Sequence, residues 1–370
     1  MVESPARRRI LVAMSGGVDS SVAAALLHEQ GHDLIGVTLH LWDASGEEQV
    51  GRCCAPEDRD DARRTCEALG IPHYVLDERE AFRRHVVDPF LDEYAAGRTP
   101  IPCVQCNRTV KLVHLAELAG RFGATHVATG HYARTTQDGA RTRLLRGVDH
   151  GKDQSYFLFG LPQHTLACMI FPLGERIKDE TRAEGRRLGV PNADKPDSQE
   201  LCFVPDGDIR GFVSRQRGGT ASGTFVDEQG TRLGTHEGIE GFTVGQRKGL
   251  GMGGGSEKPR YVLRILPDQR QVVLGDEAAL GSRSLVVTDA AWVAGAMPDG
   301  PFDASVRVRY RHDPAPARIT PTAAGFRADF ASPQRAITPG QAAVVYVGDE
   351  VVGGGFITEE RVPAQQHALV

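Results

Sequence analysis

RRRILVAMSGGVDSSVAAALL, residues 7–27, runs from a basic start through the apolar stretch Ile10–Met14 into Ser15-Gly16-Gly17-Val18-Asp19-Ser20 and then into a helical periodicity. The apolar stretch predicts a buried strand and the periodic one a helix, so the serines and glycines must form the turn between them. Backbone N–H groups in such a turn converge on one spot, and the first turn of the helix adds the positive end of its dipole. The result is an anion site, and its glycines let a ligand approach the backbone closely. Ser15 with Ser20 or Ser21 adds hydroxyl donors. An acidic side chain among phosphate ligands suits a magnesium ion better than the phosphate itself, which gives that role to Asp19. A plain Ser/Gly turn capping a helix is the alternative; the complete SGGVDS at the end of a strand favours phosphate. The Walker pattern requires a lysine ahead of its Ser or Thr, and this loop has none, so it is a nucleotide loop of another kind.

Outward from the loop the same alternation continues. LIGVTLHL from Leu34 is followed by a helix from about Glu57 to Leu69, stopped by Gly70, then by HYVL at His73 and an amphipathic helix through PFLDEYAAG. A further helix from about Asn107 to Phe122 precedes HVATGHYA at His126. This pattern predicts an α/β fold, a doubly wound parallel sheet with ligands beyond the carboxyl ends of its strands at a topological switch point. From about residue 208 the texture changes to short alternating strands with glycine-rich turns. The expected domains are therefore a catalytic nucleotide domain over 1–207, a small β-rich domain over 208–280 and a C-terminal β-barrel over 281–370.

The chain has 370 residues, a formal charge of −5 and seven cysteines. An odd cysteine count with no secretory signal argues against a disulfide framework and for reactive or metal-bound thiols. No apolar run reaches the roughly 20 residues that cross a bilayer, so a cytoplasmic protein without a membrane partner is expected. The acidic balance leaves RNA binding to local basic segments: RTRLLRG at Arg141, RQRGG at Arg215, GQRKGLG at Gly245 and RVRYRH at Arg307. Taken singly, each reads as a solvated strand edge ahead of a binding surface.

RTPIPCVQCNRTVKL carries Cys103 and Cys106 on what reads as a Pro-rich loop just before a helix beginning at Asn107. A thiol beside a helix N-terminus is biased toward thiolate, which makes Cys106 a candidate nucleophile. Half of a zinc site or a structural pair are the alternatives, although the second pair that zinc requires at matching spacing is missing. DSQELCF places Cys202 in another loop, so three thiols can meet in space. Cys66 on an apolar helix face and Cys168 in an ACMIF run read as packing residues, and the adjacent Cys53 and Cys54 cannot easily bridge each other.

SGGVDS resembles the loop of the N-type ATP pyrophosphatases, which split ATP between its α and β phosphates and adenylate an oxygen of the substrate. Taken in order, AMSGGVDSS, AGRTPIPCVQCN, ATGHYAR, GKDQSYFL, DSQELCF, GQRKGLG and RVRYRH resemble the tRNA-specific 2-thiouridylases, over nearly the whole chain. The resemblance implies ATP-dependent 2-thiolation of the wobble uridine of tRNA: O2 is adenylated, sulfur comes from a cysteine persulfide, and AMP and pyrophosphate are released. It implies that Ala13, Met14, Ser15, Gly16, Gly17, Val18, Asp19 and Ser20 cradle ATP, with Leu39 and Gly130 on the adenosine side. Cys202 matches the persulfide carrier, and Cys106 the nucleophile that ends the turnover in a disulfide with it. Ile101, Pro102 and Cys103 match contacts to the target base. His131, the triplet Lys152, Asp153 and Gln154, and Arg309, Tyr310 and Gln341 match tRNA contacts. On the residues alone, His131 also reads as a core histidine after a strand, and Arg309-Tyr310 as an exposed strand pair or a stacking surface for a splayed base.

One position departs from the family. Many members carry a proton-transferring aspartate where this chain has Cys103. Either the proton goes elsewhere, or Cys103, Cys106 and Cys202 hold an iron–sulfur cluster with one iron left open for sulfide. The implied partners are tRNAs accepting Lys, Glu and Gln, and a sulfur donor, either a cysteine desulfurase or a relay carrier; a monomer is expected. Two rival readings are an ATP-dependent ligase forming a C–N bond on the same sheet, and an RNA-binding protein without catalysis.

Overall fold

The computed structural model describes residues 7–43, 56–197, 201–204, 207–251 and 259–359; Cys53 and Cys54 lie outside them. The loop motif sits where the sequence analysis expects it. Strand β1 (Arg9–Ala13) buries Ile10, Leu11 and Val12 completely, and helix α1 (Val18–Glu29) starts after an extended Gly17. The parallel sheet continues on one side through β2 (Asp33–His40) to β3 (His73–Asp77), the two joined by α2 (Pro56–Leu69). On the other side of β1 lies β4 (His126–Ala128). The chain thus leaves β1 in one direction and returns on the opposite flank, which puts the switch point between β1 and β4 at their carboxyl ends.

Two helical runs frame that opening. One covers 79–95, with a π-helical stretch at Arg83–Val87 in its middle. The other, α4 over 102–119 (the 79–95 run being α3), starts at Pro102, passes through a π-helical stretch at Cys106–Lys111 and ends through Gly123 in the left-handed region. This corrects the loop reading of Cys103 and Cys106. Proline pre-sets the first helical residue and lacks only an N–H that would be unpaired there, so Pro102 opens the helix five residues before Asn107.

After the hairpin β5 (Ala133–Asp138) and β6 (Arg141–Arg146), β7 (Met169–Ile170) adds to β4 and completes the sheet order β3-β2-β1-β4-β7. Helix α5 (Lys178–Arg187) then packs on α1. Helix α6 (Ile209–Arg217) leads into a second sheet of β8 (Gly223–Val226), β9 (Arg232–His236), β10 (Tyr261–Leu266) and β11 (Gln271–Gly275). The last part contains β12 (Gly281–Trp292), β13 (Phe302–Arg307), β14 (Ala315–Thr322), β15 (Gly325–Arg335), β16 (Ala342–Val347) and β17 (Glu350–Thr358). β12 pairs with both β15 and β17, which closes these six strands into a barrel.

The barrel is fastened to the nucleotide domain by charges that the sequence offers as RNA patches. β6 pairs with β17, and both Arg141 and Arg143 are spent on Glu350. Arg146 and Arg307 converge on Asp153, whose carboxylate also accepts the Gly147 and Ser155 N–H groups at 3.1 Å. Asp153 is 1 % exposed, so its side chain is an interdomain tie and not a surface contact to tRNA. RTRLLRG is correspondingly an interface. A second junction forms at Thr99, whose N–H donates to the Pro339 carbonyl at 2.9 Å, whose carbonyl accepts from Gln341 Nε2 at 2.9 Å, and whose hydroxyl meets Thr243.

Candidate active site

A cavity of about 260 Å³ opens at the switch point. Ala13, Met14, Ser15, Asp19 and Ser20 line it from the loop, Leu39 from the end of β2, and Gly130 and His131 from the end of β4. Gly16, Gly17 and Val18 support the loop from outside the lining, Val18 as a buried core residue. Gly130 is required by proximity: a Cβ there would lie 2.6 Å from the Asp19 carbonyl carbon and the Ser20 nitrogen. The loop satisfies its own hydroxyls, with Ser20 Oγ donating to the Gly17 carbonyl at 3.0 Å and lying 3.1 Å from Ser15 Oγ. The N–H groups opening α1, which have no partner within a helix, are left for an anion.

The cation absent from the loop motif is delivered from 159 residues away. Lys178 Nζ donates to Asp19 Oδ1 at 2.6 Å and pairs with Asp197 at 2.8 Å, while Tyr132 OH donates to Asp19 at 3.0 Å. Burial works against the Asp197 charge, but hydrogen bonds from Lys152 and Lys178 outweigh it and draw the carboxyl down to about 2. Lys178 is the first residue of α5 and is buried. A lysine at the positive end of a helix dipole is unfavourable unless something else holds it, and that misplacement is the signal in ERIKDETR that sequence reading overlooked. Lys178 stands behind the cavity lining and meets it through Asp19, whereas Lys111 on α4 lines the cavity itself and was likewise missed. Lys178 and Tyr132 both act on Asp19 Oδ1.

Beyond Leu39 and Leu41 the cavity wall becomes an apolar cluster. Leu41 lines the cavity and belongs to the cluster, Cys106 is buried in it at 4 % exposure, and Cys202 packs against it. Phe203 holds the Cys202 segment there, its ring 5.0 Å from Phe90, 5.4 Å from Phe212 and 5.6 Å from Phe82. Both cysteines are thiols in this conformation, so the disulfide implied by the resemblance is not a feature of this structure. Cys103, one turn earlier on α4, is exposed. Among the described residues no group of three or more His, Cys, Asp or Glu side chains is gathered to hold a metal. The three thiols do not form an iron–sulfur cradle here, because the helix turns Cys103 outward and Cys106 inward.

The other candidate tRNA residues divide. His131 lies in the nucleotide cavity, its Nδ1 2.8 Å from Thr129 Oγ1. Gln154 lines the same cavity and accepts the Tyr132 N–H at 3.0 Å; Lys152 pairs with Asp197 at 2.8 Å. Tyr310 stacks on Phe157 with centroids 4.5 Å apart, and Arg309 donates to Thr338 Oγ1 at 2.7 Å. Gln341 is buried and clamps Thr99 and Pro100, just ahead of Ile101 and Pro102. Arg247 and Lys248 of GQRKGLG are exposed.

Burial, with the field of Lys111, pushes His131 down from 6.5 to about 4. The folded protein therefore binds fewer protons than the unfolded chain between those values. The contribution is complete above about pH 6.5 and is lost as pH falls toward 4, by at most about 3 kcal/mol. Urea titrations from pH 7.5 to 4.5 should show this slope, and His131→Asn should flatten it. An unchanged slope in the variant would locate the effect elsewhere.

The comparisons with known proteins follow the same three parts of the chain. Residues 8–206 match the family model described as the tRNA methyl transferase HUP domain, 210–276 the tRNA methyl transferase PRC-barrel domain, and 282–357 the aminomethyltransferase beta-barrel domain. The tRNA-specific 2-thiouridylase MnmA of Sorangium cellulosum is 51% identical over 94% of this chain and 92% of its own length. The chain belongs to the tRNA-specific 2-thiouridylase family. A second family member, from Geobacter metallireducens, is 49% identical over 95% of this chain and 97% of its own. Among solved structures, the NMN synthetase of Francisella tularensis overlaps 59% of this chain and 79% of its own at 19% identity and a TM-score of 0.34. Membership in the thiouridylase family extends across the nucleotide sheet, the central sheet and the barrel alike. Among the described residues, no helix is long and apolar enough to cross a membrane.

Proposed function

We propose that this chain is the ATP-dependent enzyme that replaces O2 of the tRNA wobble uridine with sulfur. ATP lies with its phosphates on the Ser15–Ser20 loop and its adenosine against Leu39 and Gly130. Lys178 offsets phosphate charge through Asp19, and Asp19 would hold a magnesium ion, which would supply further positive charge to the phosphates. Uridine O2 attacks the α-phosphorus and pyrophosphate leaves, which converts a poor leaving oxygen into a phosphate ester. The terminal sulfur of a persulfide on Cys202 attacks C2, and AMP departs with the former O2. The Cys106 thiolate then attacks Cys202 Sγ, the sulfur on the base leaves as thiouridine, and a Cys106–Cys202 disulfide is formed. A thiol reductant reopens that disulfide, and a sulfur-donor protein, a desulfurase or relay carrier, reloads Cys202. The tRNA lies across the exposed side of Ile101–Cys103, Tyr310 and the basic Arg247-Lys248 pair, and Lys, Glu and Gln acceptors are the expected substrates.

The observation that carries this reading is the wall shared by the phosphate-loop cavity and the cluster containing Cys106 and Cys202, formed by Leu39 and Leu41. A ligase forming C–N bonds has no use for two thiols there. The test supplies purified enzyme with ATP, unmodified tRNA and a persulfide source, and reads thiolated tRNA by retardation in mercury-containing gels alongside pyrophosphate release. Both products are expected in equal amounts in a single turnover. Pyrophosphate without thiolated tRNA would favour the ligase, and methylated tRNA with S-adenosylmethionine would favour the activity named in the family model's description.

A further inference from the structure

The phosphate loop contains a peptide that its own loop holds only weakly, by the long 3.4 Å contact from Gly17 N–H to Ser15 Oγ. Gly16 and Gly17 are adjacent, Gly16 has φ +76°, and neither residue has a side chain to resist rotation of the peptide plane between them. The direction of that plane matters, because C=O and N–H point to opposite sides of a trans peptide. In this structure the Gly17 N–H faces Ser15 Oγ at 3.4 Å, on the cavity side, and the Gly16 carbonyl faces away. Rotation by half a turn would aim the carbonyl oxygen at the phosphates and withdraw the donor.

Two side chains from a distant segment hold the carbonyl back. Asn192 Nδ2 donates to Gly16 O at 2.8 Å and Lys195 Nζ donates to it at 3.2 Å. Lys195 is fixed in turn by Asp58 and by Asp61, the latter at 2.6 Å, both on the first turns of α2. Burial disfavours the Lys195 charge, but these two carboxylates outweigh it and keep the ammonium protonated. The same helix packs so closely on the loop that only glycine fits there, since a Cβ on Gly16 would lie 2.0 Å from the Asp58 carbonyl oxygen. Behind the loop lies a second cavity of about 530 Å³, bordered by Asp61, Asn192 and Lys195 together with Val190, Pro191 and Ala193.

We propose that Lys195, assisted by Asn192, is a positioning residue for the nucleotide phosphates: it locks the Gly16–Gly17 peptide with its carbonyl out of the anion site and its N–H in. The proposal rests on the reading that this loop binds the phosphates of ATP. Neither side chain touches the nucleotide, and their effect passes through one peptide plane. Because Asn192, Lys195 and Asp197 belong to the segment that leads to Cys202, the stretch that carries the sulfur is tied to the loop at Gly16 directly and at Asp19 through Lys178.

The experiment titrates full-length wild type, Lys195→Met and Lys195→Arg with ATP and with adenosine, which keeps the base and ribose but has no phosphate. Loss of a charged hydrogen bond that orients a donor should weaken ATP binding by about 10- to 100-fold in Lys195→Met. Adenosine affinity should stay within about twofold, and Lys195→Arg should recover most of the ATP affinity, since a guanidinium still reaches a carbonyl and two carboxylates. Equal loss of ATP and adenosine, or ATP affinity unchanged in Lys195→Met, would overturn the proposal. Should Lys195→Met not fold, Asn192→Ser removes one donor and leaves the Lys195–Asp pairs intact, with a smaller but still phosphate-selective loss expected. Failure of the wild type to bind ATP would instead remove the functional reading on which the lock depends, and the two failures are told apart by that control.

Discussion

A Cys202→Ser enzyme is expected to release pyrophosphate from ATP in the presence of tRNA at close to the normal rate, yet to thiolate less than about a thousandth as much tRNA. The separation follows from geometry. In the proposed reaction adenylation takes place in the cavity formed by the Ser15–Ser20 loop, Leu39 and Gly130, whereas Cys202 lies on the far side of the Leu39–Leu41 wall. Serine cannot carry a persulfide, so the activated uridine has no sulfur nucleophile to meet. Cys202 is half-buried, so a hydroxyl in its place should cost no more than about 1–3 kcal/mol, which leaves the fold intact. Cys106→Ala should behave differently, because a persulfide still forms on Cys202 and attacks C2 but no thiolate resolves the adduct. That variant should accumulate a covalent enzyme–tRNA species sensitive to reductant, visible on denaturing gels. Thiolation persisting in Cys202→Ser at even a tenth of the normal level would end the persulfide assignment.

The burial of the two thiols also has a chemical consequence. Persulfides are easily oxidised and easily lost to stray thiols, and Cys106 is sealed beneath Phe82, Phe90 and Val110 while Phe203 pins the neighbouring segment. On the proposed mechanism a persulfide on Cys202 would sit close to the nucleotide cavity without opening onto it, and its transfer would require the 201–204 segment to leave its aromatic seat, at the cost of exposing Phe203.

What could be read from the sequence was local, and what could not was tertiary. Ser15–Ser20 announces itself because strand, turn and helix N-terminus are contiguous. Gly130 and Leu39 came from the resemblance, and the structure supplies their physical basis: Gly130 touches the Asp19–Ser20 backbone and Leu39 lines the cavity. Lys178, Lys195 and Asn192 were missed because the loop groups they meet, Asp19 and the Gly16 carbonyl, lie more than 130 residues away and nothing in their own neighbourhoods marks them, apart from the lysine at the start of α5. Pro102 is a different kind of miss: the signal was local, but proline after Pro100 reads as loop when only the loop sense of proline is considered. The arginines of RTRLLRG, read as a solvated strand edge ahead of an RNA patch, are neither, because clustered positive charge looks the same in sequence whether it faces water, RNA or a neighbouring domain. Only the position of Glu350 and Asp153 decides.

Lys178→Met should lower ATP turnover by about 100- to 1,000-fold, and a second substitution shows why this is a statement about phosphate and not about folding. In the single variant Asp19 loses the ammonium at 2.6 Å and retains the Tyr132 hydroxyl, while Asp197 keeps Lys152 and Arg182. A carboxylate stranded in a partly buried site should cost about 1–3 kcal/mol of stability, less than a fully enclosed pair because both acids retain some contact with water. Asp19→Asn combined with Lys178→Met removes the stranded charge as well, so stability measured by urea unfolding should return most of the way to normal. ATP turnover should not return, since the double variant lacks both the cation that meets the phosphates and the carboxylate that holds magnesium. The second substitution thus restores stability while leaving turnover low. If turnover recovered along with stability, Lys178 would be no more than the counter-ion of Asp19, and the loop would have to neutralise its phosphates by some other group.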